Sequence, residues 1–252
     1  MSVDGLVQLL IDQVTEVQAE QPGLELVLAC TGEMIVRGDI RFSIDHNGRT
    51  YMASYQVEIV IPPDYPASPP AVKETGGAVP PDFHRFPKTG HLCLAAPVEL
   101  VRVFAQNRTL RQYIDRLLIP YLFSYTYSCE HGELPHGELS HGLLGLLEYY
   151  QEFFAVGPIT VMKLLKLLAD NLAPQLMACP CDSGRKLQDC HGSKLDELRP
   201  LLPPEYFEQE LREMISAMQA ADIRLPERNV MPKRMLRNRE KRRRKKAQRR
   251  RN

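Results

Sequence analysis

The chain has 252 residues, 44% of them hydrophobic and 25% charged, with six cysteines and no tryptophan. That is room for one large domain or a smaller one with appendages, in a composition ordinary for a globular protein. No apolar run approaches the ~18 residues that a membrane span needs. The start, Met1-Ser2-Val3-Asp4, lacks the basic-then-apolar pattern of a secretory leader. The expectation is therefore a cytoplasmic protein with no membrane partner.

The formal net charge of +1 conceals a division. Thirteen of the 32 basic residues and one of the 31 acids, Glu240, lie between Lys233 and Arg251. The remainder holds 19 basic and 30 acidic residues, a net charge of −11. An acidic body with a basic tail is the result. The cysteines divide too: Cys179, Cys181 and Cys190 crowd together, whereas Cys30, Cys93 and Cys129 are dispersed. In a reducing compartment the cluster suits metal ligands, and the isolated thiols suit packing or nucleophilic chemistry.

In chain order, Val3 to Glu20 carries Val3, Leu6, Val7, Leu10, Val14 and Val17 at helical spacing, with Ser2 as an N-cap and Pro22-Gly23 as a stop. Gly38 to Asp45 alternates apolar and polar residues, as a half-buried strand does. Asn47-Gly48 marks a hairpin, and Thr50 to Ile61 returns with Tyr51, Ala53, Tyr55, Val57 and Ile59 on one face. After the proline-dense run Ile61 to Pro70, Ala71–Thr75 reads as one more strand, and Gly76 to Gly90 as an ordered loop leading to Cys93. From Thr109 the pattern is helical, with Pro120 expected to kink or end the first helix. Further helices are expected over Leu143–Phe154, from Pro158 to about Leu172, and over Glu205–Ala221. The basic tail cannot bury a core and is expected to be disordered when alone.

The stretch Cys179-Pro180-Cys181 … Cys190-His191-Gly192 offers three thiolates and an imidazole. Zinc takes four such ligands in a tetrahedron, and with all four from protein no position is left open for catalysis, so a structural Zn2+ is expected. With Ser183-Gly184 and the basic pair Arg185-Lys186, this segment resembles the SEC-C motif. That motif is the zinc knuckle at the C-terminus of the preprotein-translocase motor ATPase, and it is also an accessory module in unrelated bacterial proteins. Asp182 stands where the motif usually has glycine. The resemblance implies zinc and docking of a protein partner.

Cys93 lies between Leu92 and Leu94, with His91 two positions before it. The residues alone admit a buried small hydrophobe or a nucleophilic thiol. In an extended segment His91 and Cys93 share one face, so His91 could tune the thiol or move a proton. An N-terminal helix, a β-meander, the turn Pro62, Tyr65-Pro66, Pro69-Pro70, a loop with His84 and then Gly90-x-x-Cys93-Leu94 together resemble the ubiquitin-conjugating (UBC) fold. The resemblance covers about residues 3 to 126, with its motifs confined to 60–94. It implies a catalytic Cys93 carrying a ubiquitin-like protein as a thioester, His84 shaping the loop, and an activating enzyme as partner. Phe86 stands where that family has an asparagine proposed to stabilise the oxyanion, and the family's tryptophan is absent. Both departures fit the divergent bacterial relatives, several of which serve antiviral defence.

His131, His136 and His141, with Glu133, Glu138 and Cys129, read as a polar loop capping the next helix, as a second metal site or as a proton relay near the thiol. Cys30 and Cys129 are assigned to packing. The tail, 233–251, has phosphate-neutralising charge but no aromatic residue for base stacking, so it suits sequence-independent nucleic-acid binding or an acidic partner.

The expected architecture is α+β: a ubiquitin-conjugating-like domain over 1–126, a helical extension over 127–175, a zinc knuckle over 176–194, a C-terminal helix over 195–225 and a tail over 226–252. The leading functional expectation is a transferase for a ubiquitin-like modifier. The alternatives are a non-catalytic interaction module of the same fold and a ribosome- or RNA-associated zinc factor.

Overall fold

The computed structural model describes residues 3–30, 32–135, 142–172, 175–220, 230–233 and 236–237. Two compact units divide the chain, Met1–Glu138 and Leu139–Asn252. Among the described residues no helix is long and apolar enough to cross a membrane.

The first unit is α+β. Helix α1 (Val3–Gln18) precedes a four-stranded antiparallel sheet in the order β1-β2-β3-β4: Glu25–Leu28, Met34–His46, Arg49–Ile61 and Ala71–Glu74. Sequence-adjacent strands pair throughout, so this is the meander that the hairpin signal predicts. Asn47 and Gly48 both have positive φ, 51° and 77°, as a two-residue turn between twisted strands requires. Strand β2 starts earlier than the alternation suggests, because Gly38 interrupts it. A Cβ at Gly38 would meet the Gly23 carbonyl oxygen at 2.0 Å, so only glycine lets the chain pass.

Inward side chains of β2 (Val36, Ile40, Phe42) and β3 (Tyr51, Tyr55, Val57, Ile59) form the core with Leu6, Leu10, Val14 and Val17 of α1. Helix α2 (Pro97–Phe104), not among the expected helices although Pro97 opens its first turn, adds Val98 and Phe104. After α3 (Leu110–Tyr113) the helix widens to π geometry over Ile114–Leu118 and continues as α4 (Ile119–His131), packed on β2 and β3. Of the two outcomes expected at Pro120, a kink or an end, the helix does not end there: proline lacks an N–H, and the preceding π turn, where the Ile119 N–H reaches the Ile114 carbonyl, accommodates it. Cys129 and His131 accordingly lie on the last turn of a helix, and α4 runs across position 126.

Buried Gln13 ties this unit together. Its Oε1 accepts from the Tyr65 hydroxyl (2.5 Å) and from the Leu110 N–H (2.8 Å), joining α1, the proline-rich turn and the start of α3. Burial pushes the Tyr65 hydroxyl up to about 12, so it stays a donor. The Tyr65–Pro66 bond is cis.

The second unit is helical: α5 (Leu143–Phe154), α6 (Pro158–Ala169), α7 (Gly192–Leu198) and α8 (Pro204–Ala220). Val161, Met162, Leu164, Leu165, Leu167 and Leu168 of α6 are all buried, and a helix apolar on so many sides belongs in the middle of a bundle. Helices α5 and α8 flank it. Val230 and Met231 are buried in this unit, and the Lys233 N–H donates to Asp170 Oδ1 at 2.7 Å. Within the segment expected to be a free tail from 226, residues 230–233 are thus packed. The strongly basic stretch beyond Arg237 lies outside the described residues, as do Ser2, Pro174, His136, Glu138 and His141.

Candidate functional site

Two sites emerge, one in each unit. In the second unit, the chain before the knuckle pairs with the chain after its turn: Cys179 N–H donates to Arg185 O (2.8 Å), and Leu187 N–H to Met177 O (2.9 Å). That closure returns Cys190 and His191 to the Cys179-Pro180-Cys181 turn. The four ligand atoms lie within 4.8 Å of one another. Cys181 and Cys190 sulfurs are 3.5 Å apart, and His191 Nδ1 is 3.1 Å from Cys179 Sγ and 3.2 Å from Cys190 Sγ. Zn–S bonds of about 2.3 Å and Zn–N bonds of about 2.0 Å in a tetrahedron need edges of roughly 3.5–3.8 Å. The donor set therefore fits zinc with small adjustments.

Three surrounding contacts organise the ligands. His191 Nε2 is 2.9 Å from the Phe154 carbonyl at the end of α5. A carbonyl only accepts, so Nε2 carries the proton and Nδ1 offers its lone pair to a metal. Arg185 Nη2 donates to Cys190 Sγ at 3.1 Å, offsetting part of the charge of three thiolates. The Cys181 thiol is pushed up by burial, but hydrogen bonds from Ser183 and the neighbouring cysteines outweigh this and bring it down to about 6. Gly192 is constrained sterically: a Cβ there would lie 2.9 Å from the Leu187 oxygen.

In the first unit the site is the loop from Gly76 to Leu94. Its backbone is tied at several points. Glu74, with a fully buried side chain, accepts from the Ala78 and Val79 N–H groups (3.2 Å each) and from Arg85 Nη2 (2.7 Å). Arg85 also donates to Val79 O (2.5 Å). The Tyr125 hydroxyl donates to Ala78 O (2.6 Å), and the Tyr121 hydroxyl to Phe83 O (2.9 Å). The Leu92 N–H reaches back to Val72 O of β4 (2.8 Å).

Within the loop, residues 84–86 run antiparallel to 91–93. Cys93 N–H donates to His84 O (2.7 Å) and Phe86 N–H to His91 O (2.8 Å), with Arg85 opposite Leu92. Arg85 and Leu92 turn inward, to Glu74 and to the core. Alternation then sets His91 and Cys93 on the other side, with Phe86 the backbone partner of His91; His84, the backbone partner of Cys93, has a left-handed φ of 40°. The backbone pairing thus places residue 84 across from 93 and residue 86 across from 91; the Cys93 Sγ itself lies 3.9 Å from the Ala95 carbonyl oxygen, and Phe86 is 47% exposed. Cys93 is half-buried, and burial raises its thiol above the ordinary cysteine range. Burial and then the charge of Lys73 lower the His91 imidazole.

The remaining candidates separate. Cys30 and Cys129 are exposed, which corrects their assignment to packing: Cys30 sits beside the β1–β2 turn, and Cys129 faces outward from the end of α4. His131 stacks on Tyr127 (ring centroids 4.2 Å) and pairs through Nε2 with the Tyr51 hydroxyl (2.9 Å). Among the described residues, the zinc knuckle is the one cluster of three or more side chains arranged to hold a metal.

Comparison with known proteins agrees at one place: the SEC-C motif matches residues 178–193. No curated protein and no solved structure matches the chain. The chain is thus an α+β unit followed by a helical unit bearing a SEC-C zinc-binding motif.

Proposed function

We propose that the first unit is a ubiquitin-conjugating-like carrier, in which Cys93 receives a ubiquitin-like protein as a thioester and the SEC-C knuckle is a zinc-stabilised docking element. The observation that carries this reading is the short antiparallel pairing of 84–86 with 91–93, which holds the half-buried Cys93 on a loop tied down by buried ion pairing. The helix-then-meander order and the Tyr65-Pro66 turn support it.

Charging requires that Cys93 Sγ attack the thioester carbonyl of the activating enzyme, whose cysteine leaves as a thiolate. Because Cys93 is protonated at neutral pH, its proton must leave during attack, and a neutral His91 is suited to accept it. The onward step to an amine lacks the family's asparagine. Phe86 offers no hydrogen bond, so the oxyanion depends on another donor.

Incubation with the cognate activating enzyme, ATP and modifier is expected to give a reductant-sensitive adduct that Cys93→Ala abolishes. Modifier binding unaffected by Cys93→Ala, with no adduct, would instead establish the non-catalytic interaction module. The charge division favours one further reading, association of the tail with a polyanion such as RNA, tested below at the scale of the whole chain.

A further inference from the structure

Helix α4 reaches the carbonyl from which Cys93 hangs. The Cys93 N–H donates to the His84 carbonyl at 2.7 Å. His84 itself has φ 40°, in the left-handed region that residues with a Cβ seldom adopt and that persists only where the surroundings hold it. The Tyr121 hydroxyl of α4 donates to the Phe83 carbonyl at 2.9 Å and lies 3.4 Å from the His84 carbonyl. The two carbonyls that bracket His84 therefore converge on one donor, the nearer as a full hydrogen bond and the farther as the weak branch of a shared one.

Tyr121 is well placed to hold that geometry. It is buried, and its ring meets the Phe83 ring edge-on with centroids 5.7 Å apart, which fixes where the hydroxyl points. Burial raises the hydroxyl well above the ordinary tyrosine range; Arg85 opposes this and the nearby Cys93 adds to it. The hydroxyl thus stays protonated and remains a donor. On the strand side the Glu74–Arg85 pair holds the loop at Ala78 and Val79. Tyr121 holds it from the helix side, at the residue whose carbonyl Cys93 binds.

We propose that Tyr121 is a positioning residue for Cys93: its hydroxyl fixes the conformation of His84, and through the His84 carbonyl the backbone of Cys93, so that the thiol is held where it attacks an activated carbonyl. This rests on the carrier reading above. In charging, the bond from Cys93 Sγ to the terminal carbonyl of the modifier forms as the bond to the activating enzyme's sulfur breaks, and the Cys93 proton ends on the departing thiolate. Such a step is sensitive to alignment, so a loosened His84 turn lowers the rate of bond formation rather than the affinity for the activating enzyme.

Tyr121→Phe removes one oxygen and keeps the ring. Tyr55→Phe is its control, because Tyr55 is also buried and its hydroxyl is bonded to a side chain of the same helix, Thr126 Oγ1, at 2.8 Å instead of to a loop carbonyl. Single-turnover charging of the full-length, zinc-loaded protein, by the cognate activating enzyme already loaded with modifier, is followed across enzyme concentrations. Tyr121→Phe is expected to lower the maximal rate constant about tenfold, the size of one hydrogen bond expressed in the transition state, with the half-saturating concentration unchanged. Tyr55→Phe is expected to keep the natural rate constant. Amide hydrogen exchange at Cys93, read by NMR with no partner present, is expected to be several-fold faster in Tyr121→Phe than in the natural protein or in Tyr55→Phe. A natural rate constant in Tyr121→Phe, an equal fall in both variants, or unchanged exchange at Cys93 overturns the proposal and leaves the carrier reading standing. Absence of any adduct on the natural protein overturns the carrier reading, and the charging role of Tyr121 with it.

Discussion

Asp182 has a left-handed backbone, φ 60°, in the turn between the two halves of the knuckle. That conformation favours glycine, and a side chain there costs about 1 kcal/mol or more, least for Asp and Asn. This position, where the SEC-C motif usually has glycine, is thus a place where aspartate substitutes at modest cost. Its ion pair with Lys163 is long, 3.7 Å, and exposed, so it offsets little. Asp182→Gly is expected to leave the melting temperature of the zinc-loaded protein unchanged or slightly raised, and Asp182→Val to lower it. A marked fall for the glycine variant would show that the carboxylate has a role of its own. Residue-level contrasts extend to the thiols. With the knuckle loaded, iodoacetamide at pH 7 is expected to label exposed Cys30 and Cys129 before Cys93, because burial raises the Cys93 thiol. Cys93 labelling should accelerate as pH rises above the ordinary cysteine range. Mass spectrometry of tryptic peptides reads the order, and Cys93 labelled first would mean an activated thiolate that the environment described here does not provide. The metal ligands were legible in the sequence because their spacing alone brings them together. The exposure of Cys30 and Cys129 was not, since it depends on which side of a helix end or strand turn each thiol falls.

Helices with a full apolar stripe, such as α1, α5 and α8, were readable from their period, whereas α2, with eight residues, and α7, with seven, are too short to display one. Strand β1 has four residues and is fixed by pairing with β2, a non-local contact that its own residues do not announce. The pairing of α5 with α8 also contains something periodicity cannot reveal. Glu210 of α8 is buried and accepts from the Tyr150 hydroxyl of α5 at 2.6 Å, with Tyr206 as a second hydrogen-bond partner. Burial raises its carboxyl to about 7, and Glu213 adds repulsion. The tyrosines Tyr150 and Tyr206 face it, and no cation does so among the groups that shift it or are shifted by it. A folded pKa above the unfolded 4.5 means that the folded state holds the proton more tightly. The associated stability is fully present below pH 4.5 and is lost as pH rises through about 7. Glu210→Gln keeps an acceptor oxygen without the charge. Above pH 8 it is expected to be more stable than the natural protein, by at most about 3 kcal/mol, and near pH 5 the advantage should vanish. Thermal unfolding from pH 5 to 9 measures this. A constant difference between the two proteins across that range would show that Glu210 does not titrate in it.

At the scale of the molecule, the sequence implied one acidic body and one basic tail, and packing moves the boundary between them. Val230 and Met231 are buried and Lys233 is hydrogen-bonded to Asp170, so removing everything from 226 would strip the second unit of part of its core. A clean test of the tail must begin later. Residues 238–252 contain ten Lys and Arg and one acid, Glu240, without a single aromatic. Such a segment binds a polyanion through phosphate neutralisation and counterion release, with affinity falling steeply as salt rises and with little dependence on sequence. Deleting 238–252 is expected to abolish retention on immobilised single-stranded RNA at about 50 mM salt, where the affinity from several phosphate contacts is orders of magnitude higher than at 200 mM. The same deletion should leave the melting temperature and the formation of the Cys93 adduct unchanged if the segment acts only on polyanions. Retention that survives the deletion would locate nucleic-acid binding on the described units, whose net charge opposes it. Loss of the Cys93 adduct on deletion would instead mean that the basic segment recruits the activating enzyme or the modifier, joining tail and thiol in one function.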